Sequence, residues 1–442
     1  AEDPKPVTIQ IQSTATIPAI KIEPAKKAAP QKAENSGATP IITVISSVVG
    51  GKDPTAEAQK QAAEKGSHKA GQPIKVVSND GNSRLQTLCA DAEGRVLALV
   101  APPRGFTSNA KSPLPTEVHV FSPEGKALTN WKVPFMGQAI NVGPDNNVFV
   151  AGEGKVARFD REGKLLSEVE LPYIADALKN REAMRKEAEQ ELKQQKESFQ
   201  KTVEQFKKRV DELKKIDEDK RTALQKKQLA QQEQILKSFS QTENYYKSLN
   251  VDSILQGKLS RLSIINGIAI SGRDVFVACG ETKGYGYVVW RMDHDFKNAS
   301  PVLKGLGGCC GQMDVQCGGE DLLVAENTRY QFARYDRDGK KIGSWGKRTT
   351  GSEISSFGGC CNPMNLRACK SSEILTAESE GIIKRFSDKG DFLGVVGHAP
   401  LKGGCKNVAV AVSPDGQRVY FADQPGSQII VLEKKPASVK AN

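Results

Sequence analysis

The feature that most constrains this chain is a pairing of short apolar runs that recurs six times between residues 96 and 432. Val148-Phe149-Val150-Ala151-Gly152 leads to Val156-Ala157-Arg158-Phe159 and then to Asp160-Arg161-Glu162-Gly163-Lys164. In the same way Leu322-Leu323-Val324-Ala325-Glu326 leads to Phe332-Ala333-Arg334-Tyr335 and Asp336-Arg337-Asp338-Gly339-Lys340. Ile374-Leu375-Thr376-Ala377-Glu378 leads to Ile382-Ile383-Lys384-Arg385-Phe386 and Ser387-Asp388-Lys389-Gly390. Val96-Leu97-Ala98-Leu99, Val275-Phe276-Val277-Ala278-Cys279 and Val419-Tyr420-Phe421-Ala422-Asp423 open the other three units. Runs this short, rich in β-branched residues and bounded by Gly and Asp, are strands.

A period of about 40 to 50 residues built from short strands reads as a β-propeller, in which radial repetition leaves only short edges. "VFVACGE", "LLVAENTRYQFARYDRDGK", "ILTAESEGIIKRFSDKG" and "VYFADQPGSQIIVL" resemble NHL repeats, which end one strand in Val-Ala-Asp and resume with an Arg-Ile-Gln-like strand and an Asp-x-x-Gly turn. The resemblance covers residues 85–435 apart from one insert and implies a six-bladed, all-β propeller. It does not imply an activity, because such folds host enzymes, sensors and scaffolds alike. The last unit has room for only three strands, so Pro73-Ile74-Lys75-Val76-Val77-Ser78 is expected to supply the fourth and close the ring.

The insert, residues 173–258, is dominated by Lys, Glu, Gln, Ala and Leu, all strong helix formers. Leu192, Phe199, Val203, Phe206, Val210 and Leu213 follow heptad spacing. A single helix of about 75 residues would end roughly 110 Å from the strand it must rejoin. An antiparallel α-helical coiled-coil hairpin turning at Asp217-Glu218-Asp219 is therefore expected. The propeller flanks it as residues 73–172 (closing strand and two blades) and 259–435 (four blades), with a C-terminal tail at 436–442. Residues 1–72 read as an extended arm rich in Ala, Pro and Lys. Val7, Ile9 and Ile11 alternate with polar residues there, and 41–49 is β-branched, so strand-like segments able to pair with a sheet edge are expected.

The nine Cys and the Ala1-Glu2-Asp3-Pro4 start point to an exported chain, cut by signal peptidase and bound for the periplasm, cell surface or extracellular space. No apolar run approaches the roughly 18 residues of a membrane span. The net charge of +11 comes from Lys interspersed with Glu, without Arg clusters or interleaved aromatics, so nucleic acid is not an expected partner.

Cysteine carries the strongest local signal. Gly307-Gly308-Cys309-Cys310-Gly311-Gln312-Met313 is echoed by Gly358-Gly359-Cys360-Cys361-Asn362-Pro363-Met364 and by Gly403-Gly404-Cys405. Each precedes the first strand of its unit, which gathers these thiols at one mouth of the channel. Cys317 and Cys369 are equivalents at the other end of the innermost strands. Three readings stay open. Disulfides join Cys309, Cys310, Cys360, Cys361 and Cys405, with a further link from Cys317 to Cys369. Alternatively Cys309, Cys310, Cys360 and Cys361 with Met313 and Met364 hold a soft metal, copper or zinc. In the third reading a vicinal pair is redox active.

Calcium-dependent lactonase-type propellers hold a metal with Glu, Asn and Asp at the channel, and Asn141, Asn266, Asp314, Asn365 and Asn407 fall near the starts of inner strands. The Glu of that set has no counterpart. Amidating-lyase-type propellers use His there, and His68, His119, His294 and His398 are too scattered to match. No cofactor is therefore expected, with calcium, copper or zinc as the alternatives. The sequence favours a non-catalytic scaffold whose hairpin and arm contact protein partners or further copies of the chain. The runner-up is a lactonase-like enzyme or ligand sensor at the channel mouth.

Overall fold

The computed structural model describes residues 54–103, 116–282, 284, 286–309, 312–369, 371–401 and 408–436. Helix α1 (Pro54–Lys65) and the short strands β1 (His68–Ala70) and β2 (Ile74–Lys75) come first. Then follow β3 (Arg84–Ala90), β4 (Val96–Ala101), β5 (Thr116–Phe121), β6 (Ala127–Val133), β7 (Ala139–Val142), β8 (Val148–Gly152), β9 (Lys155–Phe159) and β10 (Leu165–Glu170). Four helices intervene: α2 (Pro172–Lys179), α3 (Arg181–Lys214), α4 (Ala223–Ser248) and α5 (Val251–Ser263). The chain resumes with β11 (Ile265–Ile270), β12 (Asp274–Gly280), β13 (Tyr287–Asp293), β14 (Ser300–Leu306), β15 (Asp314–Gly318), β16 (Asp321–Glu326), β17 (Gln331–Tyr335) and β18 (Lys341–Trp345). It ends with β19 (Asn365–Ala368), β20 (Glu373–Ala377), β21 (Ile382–Ser387), β22 (Phe392–His398), β23 (Val410–Val412), β24 (Arg418–Asp423) and β25 (Gln428–Lys434).

From β3 onward each successive four strands form one antiparallel sheet, and a last sheet joins β23, β24 and β25 to β1 and β2. The first strands touch in a closed cycle: β3 on β7, β7 on β11, β11 on β15, β15 on β19, β19 on β23, and β23 back on β3. Apolar cores fill the gaps between neighbouring sheets all the way round. The fold is mostly β and propeller-like.

The turn between the third and fourth strands explains the Asp-x-x-Gly signature. Asp160 Oδ1 accepts the backbone N–H of Glu162 at 3.0 Å and of Lys164 at 2.8 Å, and Gly163 closes the turn at φ 88°. Glycine is also required for space. A Cβ on Gly163 would lie 2.3 Å from the Trp131 ring on β6, and one on Gly390 would lie 2.0 Å from the Trp345 ring on β18. Each of these turns thus seats on the outer strand of the preceding sheet. A second set of contacts runs the other way. Arg158 on β9 donates to His294 O at 3.3 Å, Arg291 on β13 to Arg337 O at 2.9 Å, and Arg334 on β17 to Asp388 O at 3.5 Å. The third-strand arginine of the repeat is a latch onto the turn of the next sheet.

The expected closing strand is present, with Ile74 paired to Ile429, and β1 extends the pairing, with His68 opposite Lys434. Upstream the structure departs from expectation. Residues 54–65, placed in the extended arm, are helix α1, which packs on β21 and β22 and donates from Gln59 Nε2 to Glu380 O at 3.0 Å. Gly66 lets its end come close, since a Cβ there would be 2.8 Å from Gly397 Cα. The strand-like stretches at 7–11 and 41–49 lie outside the described residues.

The insert remains helical to Ser263, past the expected end at residue 258. Helix α3, roughly 50 Å long by its residue count, and α4 run antiparallel. Phe199 stacks on Tyr246 with centroids 4.5 Å apart, Phe206 meets Phe239 edge-on at 5.3 Å, and Lys214 pairs with Glu233 at 2.8 Å. The reversal contains Asp217-Glu218-Asp219, and a capping box between Thr222 and Gln225 starts α4. At the base Ala188, Leu255 and Leu259 form a small apolar core. Tyr173 of α2 stacks on Trp290 of β13 at 4.7 Å. Lys258, only 4% exposed, pairs with Glu191 at 2.7 Å and donates to Thr282 O at 2.8 Å. These contacts tie α2, α3 and α5 to the third sheet.

Candidate functional site

Register places Asn141, Gln316 and Arg367 at equivalent third positions of β7, β15 and β19, opposite Phe149, Leu323 and Leu375. Asp314 and Asn365 hold first positions of their strands, opposite Ala325 and Ala377. Strand alternation turns these positions toward the channel, where their polar atoms bond across it. Asn141 Nδ2 donates to Ile268 O and to Gln316 Oε1, both at 2.9 Å. Asp314 accepts Leu366 N at 2.8 Å and Gln316 Nε2 at 3.3 Å. Asn365 Oδ1 accepts Val410 N at 2.9 Å. Arg367 reaches over to Leu88 O on β3 at 3.0 Å, and Gln312 bonds both Val408 O and Val408 N, at 2.9 and 3.2 Å. Burial pushes the Asp314 carboxyl up to about 6, against the opposing field of Arg367.

Asn141 and Asp314 both bond Gln316, and Asp314 also accepts the N–H of Leu366, the neighbour of Asn365. Asn266 is the second residue of β11, and Asn407 lies outside the described residues. Calcium needs six to eight oxygen ligands. The residues present do not fit it: Asn141 turns its nitrogen inward, the Asp314 and Asn365 oxygens accept backbone N–H groups, and the buried Arg367 already supplies a cation. Gln312, Gln316 and Arg367 were missed from sequence; a Gln or Arg in the middle of a short apolar strand is the signal that would have found Gln316 and Arg367, whereas Gln312 precedes β15 and carries no such signal.

Cys309 precedes β15, and Cys360 and Cys361 precede β19, at the mouth from which these innermost strands start. Cys309 and Cys361 pack with Met364 against the apolar core between the fifth and sixth sheets. Asn327, itself buried, accepts Cys309 N at 2.8 Å and directs Nδ2 to Met364 Sδ at 3.3 Å. Tyr330 donates its hydroxyl to Cys360 O at 2.5 Å. The Sγ atoms of Cys360 and Cys361 are 3.1 Å apart. Cys310 and Cys405 lie outside the described residues.

Two parts of the cysteine expectation do not hold. Cys317 and Cys369 are separate thiols, because Cys317 packs between the third and fourth sheets and Cys369 between the fifth and sixth, on opposite sides of the gap a bridge would cross. Met313 and Met364 are likewise buried in different cores and do not meet. Among the described residues no disulfide joins two sheets, and no group of three or more His, Cys, Asp or Glu is arranged to hold a metal. Burial pushes Cys89, Cys279 and Cys369 up to about 12.

Beside this mouth Lys384 and Glu378 form a buried ion pair; the Lys384 ammonium lies 4.9 Å from the Phe357 ring centroid. Burial raises the Glu378 carboxyl and Lys384 opposes it. At the far mouth, where the innermost strands end, a cleft of about 680 Å³ is lined by His68, Asp91, Cys369, Arg385 and Asp415 among others. The other histidines stand apart: His119 pairs with Glu117 at 2.9 Å on β5, His294 bonds Ser271 O at 3.0 Å in a turn, and His398 ends β22. No helix among the described residues is long and apolar enough to cross a membrane.

No protein-family model matches the chain, and no curated protein does. Among solved structures it is similar to a protein of unknown function from Bacteroides caccae, 11% identical, covering 77% of this chain and 95% of that one at a TM-score of 0.39. It is also similar to regucalcin, a calcium-binding protein from Agrobacterium tumefaciens, 12% identical, covering 80% of this chain and 92% of that one at a TM-score of 0.40. At this distance neither likeness bears on activity.

Proposed function

We propose that this chain is an exported, non-catalytic scaffold: a six-bladed propeller of the NHL-like kind that presents an antiparallel coiled-coil hairpin and an N-terminal arm to protein partners. The observation that carries the reading is the anchoring of the helices. Most of their surface stays in water, so they add little to the core. Yet their exit from the sheets is fixed by the Tyr173–Trp290 stack and by the buried Lys258 bonded to Glu191 and Thr282 O. An ion pair with its ammonium buried and its carboxylate half-exposed adds little net stability and restricts geometry, which matters for an arm that must point in one direction. The channel supports the same reading, since its polar groups bond one another and the backbone.

The test shortens α3 and α4 by two matched heptads each, leaving the base intact, and compares partners co-purified from the cells that make the protein. A partner held by the full chain and lost by the shortened one supports the proposal; an unchanged partner set contradicts it. A second reading, a ligand sensor, rests on the cleft at the far mouth, whose volume lies within the range of small-molecule sites. It predicts that Arg385→Ala abolishes a ligand-induced rise in melting temperature that the native chain shows.

A further inference from the structure

Beyond the scaffold reading, we propose that Cys360 and Cys361 form a thiol–disulfide exchange site whose co-substrate is a small disulfide such as oxidised glutathione. The two sulfurs are 3.1 Å apart, closer than ordinary contact. Their exposures differ in the sense exchange requires: Cys360 is open to solvent, and Cys361 is 2% exposed. The outer thiol can meet a co-substrate, while the inner one is held against it and shielded from competing reagents.

The loop around them is pinned on both sides. Tyr330 holds Cys360 O, and the Asn362 side chain bonds Gly358 O and Ser379 N, each at 2.9 Å. Gly359 turns at φ 68° with the Glu380 carboxylate directly against it. The pair thus reacts within a held loop, not in a strand that must open first.

The step balances. The Cys360 thiolate attacks one sulfur of the co-substrate disulfide, forming a mixed disulfide and expelling one thiolate, which takes up a proton. Cys361 gives its proton to solvent and attacks the Cys360 sulfur, expelling the second thiolate, which is protonated in turn. The protein loses two electrons and two protons, and the co-substrate disulfide becomes two thiols. Run in reverse, the vicinal disulfide oxidises a pair of thiols.

The test is incubation of the reduced full chain with oxidised glutathione, acid quenching, and intact mass with peptide mapping. The native protein is expected to lose two hydrogens, keep no adduct and carry the Cys360–Cys361 link. Cys361→Ser should retain glutathione on Cys360, with release slowed roughly a hundredfold or more because the resolving thiol is gone. Cys360→Ser should leave Cys361 unmodified. Should the variants fold poorly, the native protein still decides: oxidation must protect both thiols from alkylation together. A mixed disulfide that persists on native Cys360, a link from Cys360 to Cys309, Cys310 or Cys405, or a Cys360 that stays reduced would each overturn the proposal.

Discussion

Asp314 is where one residue's charge is set by the ring around it. Its folded value of about 6 stands above the ordinary 3.8, so the folded state binds this proton more tightly than the unfolded one. The carboxyl costs nothing below pH 3.8, and its cost grows as pH rises to about 6. The shift corresponds to a few kcal/mol at most, about 3. Asp314→Asn removes that dependence and keeps an oxygen for Leu366 N. Urea unfolding of both proteins at pH 4 and pH 7 should show the variant gaining relative stability at the higher pH; a difference that does not change with pH contradicts the assignment. Sequence showed Asn141, Asp314 and Asn365 because strand starts are marked by the turns before them. It did not show that they meet Gln316 and Arg367, because bonds across the channel join β7 to β15 and β19 to β3, residues far apart in the chain.

At the scale of elements, Gly390 carries two demands at once, a left-handed backbone and room for the Trp345 ring. Gly390→Ala should destabilise by about 3 kcal/mol, the sum of backbone strain and overpacking, read as a lower urea midpoint. The same substitution at Gly416, which has positive φ and open space around it, should cost about 1 kcal/mol. At the helix base, Glu191→Ala leaves the buried Lys258 ammonium with Thr282 O alone. It should loosen α3 and α5 by about 2 kcal/mol, seen as faster hydrogen exchange in those helices and not in β11–β14. Strands, turns and the helix reversal were legible because each rests on local chemistry: short β-branched apolar runs, Asp-x-x-Gly, heptads. Helix α1 was not. Its sequence, PTAEAQKQAAEK, has helix-forming composition but no large apolar side chain, and among its described side chains only Ala62 is fully buried, so no apolar stripe distinguished it from a linker.

For the whole molecule, stability depends on joining residues 67–76 to β25. The last strand is held by Gly71 N on Val431 O at 2.8 Å, Val76 N on Ser427 O at 3.0 Å and Lys435 N on Ser67 O at 2.9 Å, and Ile74 and Val76 are buried. The seam is tested against a chain beginning at residue 54, which keeps α1, β1 and β2. One beginning at residue 77 should lose at least about 4 kcal/mol, from two buried side chains and the lost pairing; equal stability of the two would contradict closure at this seam. Closure was legible as a strand deficit in the last unit. The Arg158, Arg291 and Arg334 latches were legible only as a repeated letter, since what each one touches belongs to the next sheet. The proposed scaffold uses the ring as a support and the helices as the contact surface. The most direct measurement places a photo-crosslinking residue at Leu224 or Tyr245, exposed by 64% and 59% on α4, and separately at Ser371 on the far mouth, in the cells that make the protein. For the scaffold, one and the same protein is captured from both helix positions and not from Ser371; capture at Ser371 alone would contradict that role.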